Sequence, residues 1–369
     1  MISNTLEKWE EKTLGEILDK GSSNLSANKL NDCVGIYPVY GASGLIAKVN
    51  FYQQDKEYLA IIKDGAGVGR VYHYQPKTSV LGTLQYLYPK PNTNIRFAYY
   101  YLQSIDFAKY YQGAAIPHIY YRDYKSEKLV LPPLPEQERI VAKLDKAFEA
   151  IDKVKANAEQ NLNNAKELFN DAQTTIFNEP FEEKKLGDIC TLYQGLAINM
   201  KTKHLLCDKS TLPLLRIKDL KENCETQYVV EEGFPKNALV NESDIIYTRT
   251  GSLGLVFRGR KGVLHNNSFK VVPQKNISND YLFEWLQNPI FNKKIVSLAQ
   301  RAAQPDITHT LFKQQIINVP PFEIQLKKVK QINVIREYIN TLNQIYTQKI
   351  KECDELKQSI LQKAFRGEL

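Results

Sequence analysis

The segment Trp9-Glu10-Glu11-Lys12-Thr13-Leu14-Gly15-Glu16-Ile17 returns as Phe181-Glu182-Glu183-Lys184-Lys185-Leu186-Gly187-Asp188-Ile189, with six of nine residues identical at an offset of 172. A tandem repeat constrains the fold more than any local propensity, because both copies must build one scaffold. Farther along, the run Ile61 to Val71, which passes through Gly65, Gly67 and Gly69, answers Ile246 to Val256 at an offset of 185. Pro117-His118-Ile119 answers Pro305-Asp306-Ile307, and Leu131-Pro132-Pro133 answers Val319-Pro320-Pro321, both at 188. The growing offset places insertions in the second copy, the largest between residues 190 and 246. The copies therefore share their ends and differ in their middles.

After each Pro-Pro signal comes a run without glycine or proline, from Glu138 to Asn178 and from Leu326 to Arg366. Both runs read as long helices. Alternating steps of three and four give a heptad seam through Leu144, Ile151, Val154 and Leu168, with alanines at 147, 158, 165 and 172 and a polar break at Asn161. In the second helix the same steps give Ile332, Ile335, Ile339, Leu342, Leu356 and Ile360. Small residues on one seam face large ones on the other, so the two helices are expected to interlock; the bland alternative is that each packs only on its own domain. Before each helix, β-branched and aromatic runs alternate with Gly, Asn and Pro turns and with helical pieces, which predicts compact α+β units. The expected organisation is a domain at 1–136, a helix at 137–179, a domain at 180–323 and a helix at 324–369.

The formal net charge of +8, from 49 basic and 41 acidic residues, favours a polyanionic partner. The 22 tyrosines suit surfaces that meet a macromolecule, although β-strands account for most of them. Cys33, Cys190, Cys207, Cys224 and Cys353 are odd in number and scattered, and read as reduced thiols of a cytoplasmic protein. His204, Cys207 and Cys224 come nearest to a metal set, and ordinary side-chain roles are favoured for them. No apolar stretch approaches the ~18 residues of a membrane span, and the first residues lack a secretory pattern.

Catalytic signatures are looked for without success. Gly65 to Arg70 lacks the Gly-Lys-Ser/Thr of a phosphate loop, and Gly41-Ala42-Ser43-Gly44 falls short of a nucleophile elbow. The five histidines form no metal-binding pair. Pro132-Pro133 is preceded by Leu131 rather than by an amide that could hold a target amino group. No catalytic residue and no metal site is expected in this chain.

The duplicated Leu-Gly-Glu/Asp-Ile openings, the junction Pro132-Pro133-Leu134-Pro135-Glu136-Gln137-Glu138-Arg139-Ile140-Val141 and the ending Ala364-Phe365-Arg366-Gly367-Glu368-Leu369 together resemble the specificity subunits of type I restriction-modification systems. The resemblance spans essentially the whole chain. It implies two target-recognition domains of mixed α/β structure joined by two long helices that form an antiparallel coiled coil, with an internal pseudo-two-fold repeat. It further implies a bipartite, asymmetric target in double-stranded DNA, and two methyltransferase subunits as partners. Restriction subunits join in the restriction form, and S-adenosylmethionine, and ATP with magnesium, belong to those partners. At the second junction Glu323-Ile324-Gln325-Leu326 replaces Pro135-Glu136-Gln137-Glu138, a departure that bears on partner contacts there.

Side chains following the glycine turns and in the late loops are the candidates for phosphate and base contacts. In the first domain they are Lys63, Arg70, His73, Lys77, His118 and Arg122; in the second, Arg249, Arg258, Arg260, Lys261, His265, Asn266, Arg301 and His309. A solvated charge or a capping group is the bland alternative for each. Two rival functions stay open: a coiled-coil scaffold whose domains bind protein, and an enzyme with an unrecognised site.

Overall fold

In the computed structural model, which describes residues 9–30, 34–113 and 116–369, the apolar runs flanking the glycine turns become central strands. Contacts divide the chain into a first unit of Met1–Glu159 with Thr347–Leu369, and a second of Gln160–Tyr346. Each long helix, Leu134–Phe177 and Phe322–Phe365, therefore gives one segment to each unit. Cys33 lies outside the described residues.

The first unit is built on an antiparallel sheet in the order Leu18–Ser22, Leu84–Pro89, Tyr58–Ile62, Val71–Tyr74. Tyr58–Ile62 is buried at every position, which is why it reads as a continuous apolar run rather than an alternating one. The helix Ile95–Ser104 adds Phe97, Ala98 and Leu102 to the same core. Asn94 caps it by accepting from the backbone N–H groups of Arg96 and Phe97. A short ribbon pairs Glu10–Thr13 with Lys128–Leu131, so the start of the domain returns to the Pro-Pro junction. A second sheet, Gly44–Val49, Tyr37–Gly41 and Ser79–Val80, closes over its own small core of Leu30, Val39 and Val49.

The second unit repeats the main sheet in the same order, as Cys190–Gln194, Ser268–Pro273, Ile245–Thr248 and Val256–Phe257. The ribbon recurs as Glu182–Lys185 with Ile316–Val319. The residues inserted between 190 and 246 go into the accessory sheet. Where the first unit has three strands, the second has five: Leu206–Cys207, Tyr228–Val229, Leu212–Leu215, Gly262–Leu264 and Leu239–Val240.

Each junction is closed by a buried glutamine. Gln137 is fully buried; its Nε2 donates to the Pro132 carbonyl at 2.7 Å and the Asn92 carbonyl at 2.9 Å, and its Oε1 accepts from the Asn94 N–H at 2.7 Å. Gln325 repeats the arrangement with the carbonyls of Pro320 (2.9 Å) and Asn276 (3.2 Å) and the Ser278 N–H (2.8 Å). The glutamine that both copies keep thus ties together the proline turn, the helix start and the loop before the neighbouring helix. The departure of residues 323–326 from 135–138 leaves that tie intact.

Within each unit the two long-helix segments run antiparallel. In the first, Lys155 pairs with Asp354 at 2.6 Å and Lys357 with Asp152 at 2.5 Å. The terminal Ala-Phe motif belongs to this unit's core: Ala364 is fully buried and Phe365 meets the rings of Phe97 and Tyr101 edge-on. In the second, Lys328 donates to the Ile176 carbonyl and to Glu179, while Arg336 pairs with Glu284 and lies over the Phe169 ring.

The seam differs from the expected one at alternate steps. Leu144, Ile151, Ile332 and Ile339 are buried, and Ile335, Leu342 and Ile360 are half-buried. Val154, Leu168 and Leu356, however, are 44%, 58% and 50% exposed. Their neighbours Lys155, Phe169 and Lys357 turn inward instead. Lys155 and Lys357 are less exposed than Val154 and Leu356, and each ends on an acidic partner across the helix pair, Asp354 and Asp152. An apolar count passes over both positions. No described helix is long and apolar enough to cross a membrane.

Candidate nucleic-acid interface

The two main sheets end at one shared structural feature. The strand Tyr58–Ile62 leads into a glycine turn, and the Lys63 carbonyl accepts from the Ile119 N–H at 2.9 Å. In the second unit the Arg249 carbonyl accepts from the Ile307 N–H at 2.9 Å. Lys63 and Arg249 therefore hold equivalent places, as do His118 and Asp306; along this strand the structural offset is 186, so the offset of 185 expected from the sequence, which set Lys63 against Thr248, holds only after the turn, where Gly69 matches Gly254. The turn after Lys63 requires glycine: Gly69 has φ +88°, and an added Cβ would sit 2.7 Å from the Phe107 Cβ.

Around this turn the first unit keeps its cations available. Lys63 makes a half-exposed pair with Asp64 at 3.0 Å and lines a cavity of about 260 Å³ with Lys20, Tyr120, Tyr121 and Arg122. The Arg122 guanidinium lies 4.6 Å from the Tyr120 ring centre, and His118 meets that ring edge-on. Arg70 is exposed at the rim of a larger cleft, about 990 Å³, walled by Tyr72, Tyr99, Tyr100 and Tyr111. His73 lines the same cleft and pairs with Glu57 at 3.0 Å. Lys77 is exposed in a turn, in the left-handed region with φ 61°.

In the second unit Arg249, Arg258 and Arg260 each have partners within the domain. Arg249 makes a two-pronged pair with Asp306 and reaches Gln194 at 3.1 Å. Arg258 pairs with Asp280 and stacks 4.0 Å over Phe283. Arg260 donates to Asn223 at 2.7 Å and to the carbonyls of Asp219 and Cys224. Asn266 contributes backbone, its N–H donating to the Leu196 carbonyl at 3.0 Å and its carbonyl accepting from Gln194. Lys261 and Arg301 are exposed. Sequence reasoning missed Lys20, because only the pairing of Leu18–Ser22 with Leu84–Pro89 carries it to the turn after Tyr58–Ile62.

His265 and His309 are half-buried in the second domain. The His265 ring accepts from the Asn267 N–H at 3.3 Å; burial, and then the Arg216 charge, lower its pKa. His309 stands edge-on to Phe269, its Nε2 buried with no hydrogen-bond partner among the described residues. Burial, and then Arg249 and Lys313, lower its pKa. The unfolded chain therefore binds protons that the folded domain refuses, so stability is full above the ordinary value of about 6.5 and falls as the pH drops below it. Each copy holds one tryptophan, Trp9 or Trp285, so a Trp9→Phe chain reports the second domain through Trp285. Its urea midpoint should fall from about pH 7.5 to about pH 5.5, and adding His309→Phe should flatten that fall. An unchanged profile in the His309 variant would remove the histidine from this account.

Among the described residues, no three His, Cys, Asp or Glu side chains are grouped to hold a metal ion. The cations at the turns sit on two copies of one scaffold, and comparison with known proteins accounts for the duplication. The chain is 24% identical over 321 residues to the type I restriction enzyme EcoBI specificity subunit of Escherichia coli, covering 75% of this chain and 66% of that one. With the Escherichia coli EcoDI specificity subunit it shares 21% identity over 402 residues, covering 98% of this chain and 88% of that one. In fold it matches a chain from a structure of type I R-M complex assembly and conformational transition, with a TM-score of 0.75, 17% identity and 98% of each chain covered. The HsdS subunit from Thermoanaerobacter tengcongensis matches with a TM-score of 0.54 and 17% identity, over 98% of this chain and 97% of that one. The sequence pattern of the type I restriction modification DNA specificity domain fits residues 6–164 and again residues 178–352, one match per repeat, so the chain belongs to that family.

Proposed function

We propose that this chain reads a bipartite, asymmetric target in double-stranded DNA, one half-site per domain. The long helices set the spacing and dock two methyltransferase subunits, joined in a restriction complex by restriction subunits. One observation carries the reading: two copies of one sheet scaffold present unlike accessory sheets and unlike charges at the same turn. A homogeneous pair of readers would serve a symmetric target; unlike readers suit an asymmetric one. The half-exposed Lys63 and the exposed Arg70, Lys77, Arg122, Lys261 and Arg301 are the leading DNA contacts. S-adenosylmethionine, and ATP with magnesium, act on the partner subunits, and this chain adds no catalytic group.

The test is to map methylated adenines in cells carrying the chain with its methyltransferase partner. A single bipartite motif is expected, lost when this chain is deleted. The purified chain alone, given duplex DNA, magnesium and S-adenosylmethionine, should form no product. Its own binding should be weak and fall with salt by roughly 0.9 log units per log unit for each phosphate contact. Salt-insensitive binding, or binding indifferent to DNA sequence in the assembled complex, would favour a protein-binding scaffold instead.

A further inference from the structure

The equivalent turns of the two domains differ in one chemical respect. In the second domain the cation at the end of the central strand, Arg249, is neutralised by the two-pronged Asp306 carboxylate and steadied by Gln194. In the first domain the equivalent cation is Lys63, and the place of Asp306 is taken by His118, which brings no negative charge. Among the described residues Lys63 pairs only with its half-exposed neighbour Asp64, at 3.0 Å. Beside it opens the cavity of about 260 Å³, whose lining includes Lys20, Lys63 and Arg122 and no carboxylate.

We propose that this cavity is an anion site of the first domain that takes one phosphate of the DNA backbone, and that the second domain lacks the site because Asp306 already neutralises the cation at the equivalent turn. The proposal rests on the reading of the chain as a DNA-binding subunit.

Three features make the cavity suited to a phosphate rather than to a base edge. Lys20 has no ion pair with a described residue, and its ammonium lies 6.0 Å from the Tyr121 ring centre. Arg122 is 72% exposed at the side chain, and its contact with Asp123 is long, at 3.5 Å, while Asp123 already accepts from Gln112 at 2.8 Å. The guanidinium is instead aligned by stacking on Tyr120, which leaves its N–H edge free for an anion. Ser22 and Ser23 at the lining add hydroxyl groups that can donate to phosphate oxygens. Ser23 already donates to the Val80 carbonyl at 2.5 Å, so Ser22 is the freer of the two.

The experiment follows binding of the full-length chain to a random-sequence duplex of about 40 base pairs, as a function of sodium chloride. Arg122→Gln and, independently, Lys20→Gln should each weaken binding about tenfold and lower the slope of log affinity against log salt by about 0.9. The double change Lys63→Arg with His118→Asp, which installs the second domain's internal pair, should do the same. If the unaltered chain fails to bind duplex, the DNA-binding reading itself falls. If it binds and the three variants keep its slope, only the phosphate site falls. A changed half-site in methylation mapping of Arg122→Gln would mean that this residue reads a base, and would overturn the assignment to phosphate. Binding of inorganic phosphate at the cavity, with an unchanged duplex slope, would also overturn it.

Discussion

Replacing Gln137 by leucine should destabilise the first domain by about 4 kcal/mol, and Gln325→Leu should do the same to the second. The leucine fills nearly the same volume, so the loss is not a cavity effect. It strands three backbone groups that have no other hydrogen-bond partner among the described residues: the Asn94 N–H and the carbonyls of Asn92 and Pro132. Each buried, unpaired group costs about 1–3 kcal/mol, against a typical total of about 5–15 kcal/mol for a domain. Asn92 also holds a left-handed conformation at φ 67°, which the glutamine helps to fix. Gln137→Glu should be worse at neutral pH, since a carboxylate would face two carbonyls. Its folded pKa would lie above the unfolded value, so stability would be present below about pH 4.3 and lost as the pH rises through the folded value. Urea unfolding of the full chain measures all three; a loss under about 1 kcal/mol for Gln137→Leu would show that the amide is not what closes the junction.

The junction glutamine also shows where sequence reasoning reached and where it stopped. The repeat fixed the scaffold early, because identical openings, proline turns and helix starts have few ways to differ in structure. The insertion between residues 190 and 246 correctly marked the place where three accessory strands become five. What the sequence hid was side-chain pairing across the fold. Gln137 stood in a recognisable motif, but its partners at 92 and 94 lie more than forty residues upstream, and nothing local announces them. The seam departs from the expected one at Val154 and Leu356 because hydrophobic counting cannot see that the neighbouring lysines have acidic partners on the other helix and turn inward there. Arg249, Arg258 and Arg260 are candidate DNA contacts by residue type and by their place after the glycine turns and in the late loops, and the fold gives each an acceptor within the domain. Lys20, by contrast, joins Lys63 and Arg122 only through strand order.

Lengthening both long helices by one matched heptad should move the two half-sites apart by up to about three base pairs and leave their sequences unchanged. Each helix has 44 residues. At roughly 1.5 Å per residue that is about 66 Å, or at most some 19 steps of about 3.4 Å along a duplex. A heptad adds roughly 10 Å and nearly two full turns, so the buried face stays in phase. Lengthening one helix alone should fail, because the antiparallel pairs Lys155 with Asp354 and Lys357 with Asp152 could no longer be met together with those of Lys328 to the Ile176 carbonyl and Glu179. On the proposed reading the half-sites depend on residues 1–136 and 180–323, which the insertion leaves alone. Exchanging residues 180–323 for another reading domain should therefore rewrite one half-site and spare the other. Methylation mapping reads every arm of this experiment. A working complex that keeps the original gap after matched insertion, or an exchange that alters both half-sites, would show that the helices do not set the spacing and that the domains do not read independently.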